Sequence, residues 1–260
     1  MIGLKLFLIP REMISCLITK DQPPKLSMTL DISMCFLEKI TYATIKRFMK
    51  GADTKVPTQA QTTRALRNIF PADMPDCDIV LLGYVEALVP GAGEWQGNDD
   101  IKWKLEMING QKVVFVGVAF SYWGNIIYSV VEMLAKYCST IIYAGKLGSL
   151  SSSDIPNATI ATGDSSYVDG SLITWNNLFK KSPLTVEGAH YTLPSVLDET
   201  AKWYNESKDK YRFVDPEIGW AAKAANDFGL VFSYLHLVTD NLSGLFSENL
   251  TTERESAVLK

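Results

Sequence analysis

Two patterns of apolar and polar residues divide this chain near residue 75. Residues 28–49 carry apolar side chains at helical spacing, which predicts an amphipathic helix. The polar run 50–63 predicts a loop, and residues 64–70 predict a short helix that a proline ends. We therefore expect residues 1–75 to form a mainly helical N-terminal extension, followed by an α/β domain over residues 76–260.

Beyond residue 75, short apolar runs alternate with stretches of helical spacing. The apolar runs are rich in β-branched residues and leucine, as is typical of buried strands, and they occupy 78–83, 111–120, 139–145, 157–163 and 230–239. The helical stretches occupy 124–137, 193–208 and 217–229. This alternation predicts an α/β fold, a three-layer α/β/α sandwich with a central mixed sheet.

Two acids stand where such folds place their ligands, near the carboxyl ends of strands. Asp240 follows the last predicted strand, and Glu217 begins the helix before it. Either acid alone is most often structural, as a partner of the helix dipole or as a turn residue. Because both lie in a matching strand context, we interpret them as candidate functional residues.

The composition excludes several classes of protein. Hydrophobic residues make up 47% of the 260 residues, charged residues make up 21%, and the net charge is −4, an ordinary profile for a globular domain. No dense cluster of Lys or Arg indicates a nucleic-acid partner, and no apolar run approaches the roughly 18 residues of a membrane span. The four cysteines lack C-x-x-C spacing, and two histidines are too few for a histidine-based metal site. We expect reduced thiols, a cytoplasmic location, and neither a metal nor a cofactor.

Two segments resemble the nucleoside phosphorylases and nucleosidases. The first, INGQKVVFVGVAFSYWGNIIYSVVEMLAKYCSTIIYAGKLGSL, is similar to that family's strand, G-x-G-x-G, helix, strand and V-G-[ST]-x-G-[GA]-L. The second, VDPEIGWAAKAANDFGLVFSYLHLVTDN, is similar to its V-[DE]-M-E-x-x-A-x-x-x-x-A-x-x-x-G, followed by an apolar strand and S-D. The resemblance spans residues 78–242, about two thirds of the chain, and it implies a nucleoside-phosphorylase-like fold there.

The resemblance implies scission of the N-glycosidic bond of a nucleoside through an oxocarbenium-like transition state. The family's S-D aspartate, which helps to protonate the leaving purine, corresponds to Asp240, and its M-E glutamate, which holds the ribose hydroxyls, corresponds to Glu217. The residue types suit these roles, because a carboxylic acid can protonate a departing nitrogen and a carboxylate can accept two hydroxyl hydrogen bonds. Family members are dimers, trimers or hexamers, so a homo-oligomer is also expected.

Further candidate substrate-binding residues come from the aromatic and glycine-rich stretches. Tyr191, with His190 beside it, corresponds to the family's base-stacking aromatic, whereas His236 lies in a buried-strand pattern that indicates a core histidine. Tyr122 and Trp123 replace small residues and Met of the family, which indicates a reshaped pocket.

The loop after the third long strand is a candidate anion site. Lys146, beside the backbone N–H groups of Gly145 and Gly148, could bind phosphate or another anion, or could equally be a solvated loop lysine.

Departures from the family pattern affect the expected reaction. Phosphorolytic members carry arginines that hold phosphate, and the matching regions GYVEALVPG and IIYAGKLG have none, with Tyr143 at one such position. Hydrolysis is therefore favoured over phosphorolysis, with Glu86 as the candidate that orients water, although a loop acid is usually solvated surface. Pro216 replaces the Met of M-E. These losses leave an alternative open, a non-catalytic binding or storage protein on the same scaffold.

Overall fold

The computed structural model describes residues 58–86, 94–118, 124–194 and 198–244. The helix predicted over residues 28–49 and the predicted site residues Tyr122 and Trp123 lie outside the described residues. Within the described ranges, no helix is long and apolar enough to cross a membrane.

Twelve strands of the described residues form one mixed sheet. In chain order they are β1 (Ile79–Gly83), β2 (Gln96–Gly97), β3 (Ile101–Ile108), β4 (Gln111–Val118), β5 (Thr140–Ser149), β6 (Ile160–Thr162), β7 (Ser165–Val168), β8 (Ser171–Thr174), β9 (Val186–Glu187), β10 (His190–Thr192), β11 (Phe213–Asp215) and β12 (Val231–Asn241). The strand order is β2-β3-β4-β1-β5-β11-β10-β7-β8, while β12 pairs with β5 and β6, and β6 pairs with β9. The mixed sheet predicted from the sequence is confirmed.

Four of the five predicted strands, over 78–83, 111–120, 139–145 and the last apolar run, form the parallel centre of the sheet. Strand β1 pairs in parallel with β4 and β5, and β12 pairs in parallel with β5 along its full length. Many of their apolar side chains, among them Val80, Val114, Ile141 and Phe232, are almost fully buried. Parallel strands covered on both faces need such continuous apolar runs, which is why these strands are recognisable in the sequence.

Four described helices complete the layers: α1 (Gln59–Leu66), α2 (Ile126–Leu134), α3 (Ala201–Ser207) and α4 (Ile218–Asp227). Helices α1, α2 and α4 contact one another in series, and α4 packs on β12. Phe213 and Val214 are neighbours on β11 and therefore point to opposite faces. Phe213 joins the core with α4, whereas Val214 packs near Trp203 of α3, so described helices cover both faces.

Two helix boundaries differ from the sequence prediction. Helix α1 begins at Gln59, within the predicted loop, because Thr58 and Gln61 form a capping box in which each side chain accepts the backbone N–H of the other. The helix predicted over 193–208 begins only at Ala201, where the Thr200 hydroxyl accepts the N–H of Trp203.

Strand β3 was not predicted. Its sequence IKWKLEMI alternates apolar and charged residues, and it forms an antiparallel hairpin with β4 through Asn109 and Gly110. Both turn residues have positive φ, 51° and 82°, as a two-residue hairpin turn requires. The Asn-Gly pair was therefore the signal that could have revealed β3.

The pairing around β5 creates a gap between two strand ends. Strand β12 occupies one side of β5 along residues 140–149. On the other side, β1 pairs with residues 140–144, and β11 arrives from the opposite direction to pair with residues 148–149. The carboxyl ends of β1 and β11 thus face each other across residues 145–147 of β5. The carboxyl ends of strands are where open α/β sheets place their ligands.

Candidate functional site

Glu217 lies in this gap, directly after β11 and at the start of α4. Its side chain is buried, with 7% of the residue exposed. The hydroxyl of Tyr143 on β5 donates a 2.7 Å hydrogen bond to Oε2. The second oxygen, Oε1, is buried without a hydrogen-bond partner among the described residues.

The surroundings of Glu217 favour its neutral form. Burial is the main cause and the charge of Asp215 the next, and together they raise the pKa of Glu217 to about 8, although Tyr143 and Lys146 oppose the rise. At neutral pH the carboxyl is therefore mostly protonated. With Oε2 accepting from Tyr143, a protonated carboxyl can also donate a hydrogen bond, so it can serve a ligand hydroxyl in either direction.

Asp215 caps helix α4 in place of Glu217. Its Oδ1 accepts the backbone N–H groups of Glu217 and Ile218, each at 2.9 Å, and the hydroxyl of Thr192 accepts that of Gly219 at 2.8 Å. The side chain of Glu217 makes no capping hydrogen bond. Because other residues satisfy the helix N-terminus, the Glu217 carboxyl remains available to the gap.

Two buried histidines flank Asp215. The Nε2 atom of His190 lies 3.1 Å from Oδ1, and that of His236 lies 3.8 Å from Oδ2. Burial acts to raise the pKa of Asp215, but the two histidines and the N–H of Ile218 outweigh it, and the pKa is lowered. Burial, the main cause, lowers the pKa of His236 to about 4. At neutral pH, Asp215 is thus a buried carboxylate and His236 is neutral.

His190 lies in the core beside Asp215. The residue is fully buried, and its Nδ1 atom is 2.9 Å from the hydroxyl of Ser166. Its contact with Asp215 makes it a support for the N-terminus of α4. A direct contact between His190 and a ligand stays a prediction.

Asp240 was predicted to follow the last strand, but it lies within β12, near the carboxyl end and just after a bulge that follows Val238. It pairs in register with Gly148 of β5, whose other neighbour is Val214 of β11. A Cβ atom on Gly148 would lie only 2.7 Å from Oδ2 of Asp240, so the carboxylate rests directly over this glycine. The structure thereby brings together two predicted site residues, Asp240 and Gly148.

The loop predicted at Gly145 and Lys146 is wrong, because both residues lie within β5, between the end of β1 and Asp240. A Cβ atom on Gly145 would lie 2.7 Å from Nε2 of His236, which makes this glycine necessary for the close approach of that ring. The Nζ atom of Lys146 lies 5.5 Å from the ring centroid of Tyr84, and its charge lowers the pKa of Glu217. Lys146 thus supplies positive charge within electrostatic range of the Glu217 carboxyl.

The two remaining predicted residues lie further along the same sheet. Glu86 is exposed just beyond β1, and its side chain packs over Gly117 of β4, where an added Cβ would lie 2.9 Å from its Cγ. Tyr191 shares the face of Val214 and sits in an aromatic cluster. Its ring stacks on Tyr167 with centroids 5.5 Å apart and meets the edge of Tyr211 at 4.9 Å.

One acid near this site was not singled out from the sequence. Burial is the main cause that raises the pKa of Glu199 to about 8, and the charges of Asp240 and Asp215 add to it. Glu199 precedes α3 and is half-buried. No periodic pattern marks an acid in such a loop, so only the fold reveals its relation to Asp240.

Comparison with known proteins identifies the fold. No family model and no curated protein matches the sequence. Solved structures do match, over about 70% of this chain. The native futalosine hydrolase of Helicobacter pylori is 13% identical, with a TM-score of 0.53, over 69% of this chain and 88% of that chain. A mutant of the Helicobacter pylori nucleosidase MTAN with 5'-methylthioadenosine in its active site is 12% identical, with a TM-score of 0.55, over 70% of this chain and 94% of that chain.

A third similar structure is a phosphorylase. The uridine phosphorylase from Vibrio fischeri, complexed with 6-hydroxy-1-naphthoic acid, is 11% identical, with a TM-score of 0.55, over 70% of this chain and 84% of that chain. At these identities the similarity establishes the fold. The chain has the fold of the nucleoside phosphorylases and nucleosidases, and the resemblance in fold that the sequence motifs implied is confirmed.

Proposed function

Proceeding from this fold, we propose that the chain cleaves the N-glycosidic bond of a nucleoside, with water as the acceptor. The observation that carries the proposal is the carboxyl of Glu217, which is buried and held through Oε2 by Tyr143. Its Oε1 atom has no hydrogen-bond partner in the described part of the chain. A buried polar atom without a partner costs about 1–3 kcal/mol, and a sugar hydroxyl bound there would remove this cost.

Asp240 is the proposed proton donor of the reaction. In the proposed reaction, the bond between C1' and the base nitrogen breaks, its electron pair goes to the base, and Asp240 protonates the departing nitrogen. Water, oriented by Glu86, bonds to C1' and loses a proton, which restores Asp240. The products are the free base and the sugar. Burial and the charges of Asp240 and Asp215 raise the pKa of Glu199 to about 8, so this carboxyl is mostly protonated at neutral pH, and we propose it as a source of protons for Asp240.

Water is favoured over phosphate because of what surrounds Glu217. The hydroxyl of Tyr143 donates a hydrogen bond to Glu217. Tyr143 stands at a position where phosphorolytic members of the resembled family carry an arginine. The positive charge of Lys146 is concentrated on one ammonium group. Lysine therefore lacks the paired N–H donors through which an arginine guanidinium binds phosphate. A half-buried ammonium can hold an anionic substituent of the substrate, which is the role we propose for it.

A panel assay tests this function. Purine and pyrimidine nucleosides are incubated with the protein in phosphate-free buffer and in buffer with added phosphate, and the free base is quantified by chromatography. We expect free base and free sugar without phosphate, and no sugar phosphate when phosphate is present. Base release only with phosphate would replace hydrolysis by phosphorolysis. Tight binding without base release would support the non-catalytic alternative.

Gly148→Ala is expected to lower kcat by about 10-fold or more on the best substrate of the panel, because the new Cβ would displace the Asp240 carboxylate. Gly188→Ala is the matched control. Its Cβ would lie 2.6 Å from Cβ of Arg212, so it introduces comparable crowding at Arg212 rather than at Asp240. The two kcat values are compared at a temperature at which both variants are fully folded. Equal values there would contradict the placement of Asp240 over Gly148 during catalysis.

A further inference from the structure

The carboxyl of Glu217 is aimed by a residue on a different strand. Tyr143 lies 74 positions before Glu217 in the sequence, and its hydroxyl donates to Oε2 at 2.7 Å. The tyrosine ring is itself fixed, because it is buried on β5 and meets the ring of His236 edge-on with centroids 4.7 Å apart. Its hydroxyl therefore has little freedom to choose another partner.

The backbone of Glu217 is held independently of its side chain. Asp215 accepts the N–H groups of Glu217 and Ile218, and Thr192 accepts the N–H of Gly219. These bonds fix where the Cα of Glu217 lies, but they leave its side-chain torsions open. Among the described residues, the Tyr143 hydroxyl is the group that hydrogen-bonds the Glu217 carboxyl and selects its direction.

We propose that Tyr143 is a positioning residue that turns the Glu217 carboxyl so that Oε1 faces the sugar of the bound nucleoside. The proposal rests on the proposed function for the identity of the ligand, but not for the orientation of the carboxyl. It assigns to the Tyr143 hydroxyl a role in sugar binding without contact to the substrate.

The chain offers a matched control in Tyr234. Tyr143 and Tyr234 are paired in register on β5 and β12, and both are buried. The Tyr234 hydroxyl is buried without a hydrogen-bond partner among the described residues. Tyr143→Phe and Tyr234→Phe therefore remove the same atom from neighbouring core positions, and only the first change removes a bond to Glu217.

The first arm of the test needs no substrate. Protein labelled with ¹³C at the glutamate carboxyl carbons is titrated by NMR, and Glu217→Gln identifies the resonance. Because the Tyr143 hydrogen bond lowers the pKa of Glu217, we expect Tyr143→Phe to move the Glu217 titration to higher pH and Tyr234→Phe to leave it in place. An unchanged titration in Tyr143→Phe overturns the proposal, whether or not the protein proves to be a nucleosidase.

The second arm measures steady-state kinetics on the best nucleoside. We expect Tyr143→Phe to raise KM about 10-fold with a smaller change in kcat, because a misdirected carboxyl weakens sugar binding in the ground state. Tyr234→Phe should match the wild type. Equal rises in KM in both variants would indicate general loss of packing and would overturn the proposal. If the wild type releases no base, the proposed function fails, and the titration alone decides the role of Tyr143.

Discussion

Asp240→Asn is expected to lower kcat by about 10²–10⁴-fold on any nucleoside that the wild type cleaves. The amide keeps the size and polarity of the side chain over Gly148, but its N–H groups are too weakly acidic to transfer a proton to the departing base. Substrate affinity should change little, because the proposed role of Asp240 is confined to the transition state. Burst and steady-state measurements of base release check the effect.

The control for this change is Asp169→Asn. Asp169 lies in the turn between β7 and β8 with a φ of 47°, a conformation that Asn adopts at least as readily. Full activity of Asp240→Asn would remove the proton-donor role and leave Asp240 as a residue that ends a strand.

Glu217→Gln is expected to stabilise the protein at alkaline pH. The pKa of Glu217 is about 8 in the folded protein, against 4.5 as its ordinary value, so the folded state binds more protons than the unfolded state between these limits. The free energy of unfolding of the wild type therefore falls as the pH rises through this window. Each pKa unit corresponds to about 1.4 kcal/mol, so the loss from this one group amounts to a few kcal/mol by pH 9.

The amide of Gln is neutral at every pH in this window and can still accept from Tyr143, so the variant should lose this part of the slope. The slope of the free energy of unfolding against pH is measured by urea unfolding between pH 6.5 and pH 9. Some slope should remain, because the pKa of Glu199 is also raised to about 8. Glu206→Gln, at an exposed position of α3 opposite Lys202, is the control and should leave the slope unchanged. The same pH dependence in Glu217→Gln and the wild type would mean that the Glu217 carboxyl is ionised in the fold.

The parts of the fold that could be predicted are those dominated by burial. Strands β4, β5 and β12 are long apolar runs because both of their faces are covered, and such runs are visible without an alignment. Strand β3 escaped prediction because its apolar residues alternate with charged ones and so form no continuous apolar run, although such alternation is itself typical of a strand. The start of α1 escaped because polar residues of a capping box resemble a loop.

The candidate site also has a part that could be predicted from the sequence and a part that could not. Asp240 and Glu217 could be proposed from sequence, since each adjoins an apolar run and a motif. The bond between Tyr143 and Glu217 could not, because it depends on β11 reaching β5 in the antiparallel direction. The same pairing accounts for the high pKa of Glu217, which needs both its burial and the nearby charge of Asp215. Pairings between distant segments have no local signature, so residues that act through them emerge only from the fold.

The central claim is that the Glu217 carboxyl binds a hydroxyl of the sugar whose bond to the base is cleaved. The most direct test compares kcat/KM for the best ribonucleoside with its 2'-deoxy and 3'-deoxy analogues, on the wild type and on Glu217→Gln. Loss of the hydroxyl that Glu217 binds is predicted to lower kcat/KM of the wild type by about 10-fold or more, and to lower that of the variant markedly less, because the two changes remove one interaction. Equal losses on the two proteins, or no base release from any nucleoside, would contradict the account.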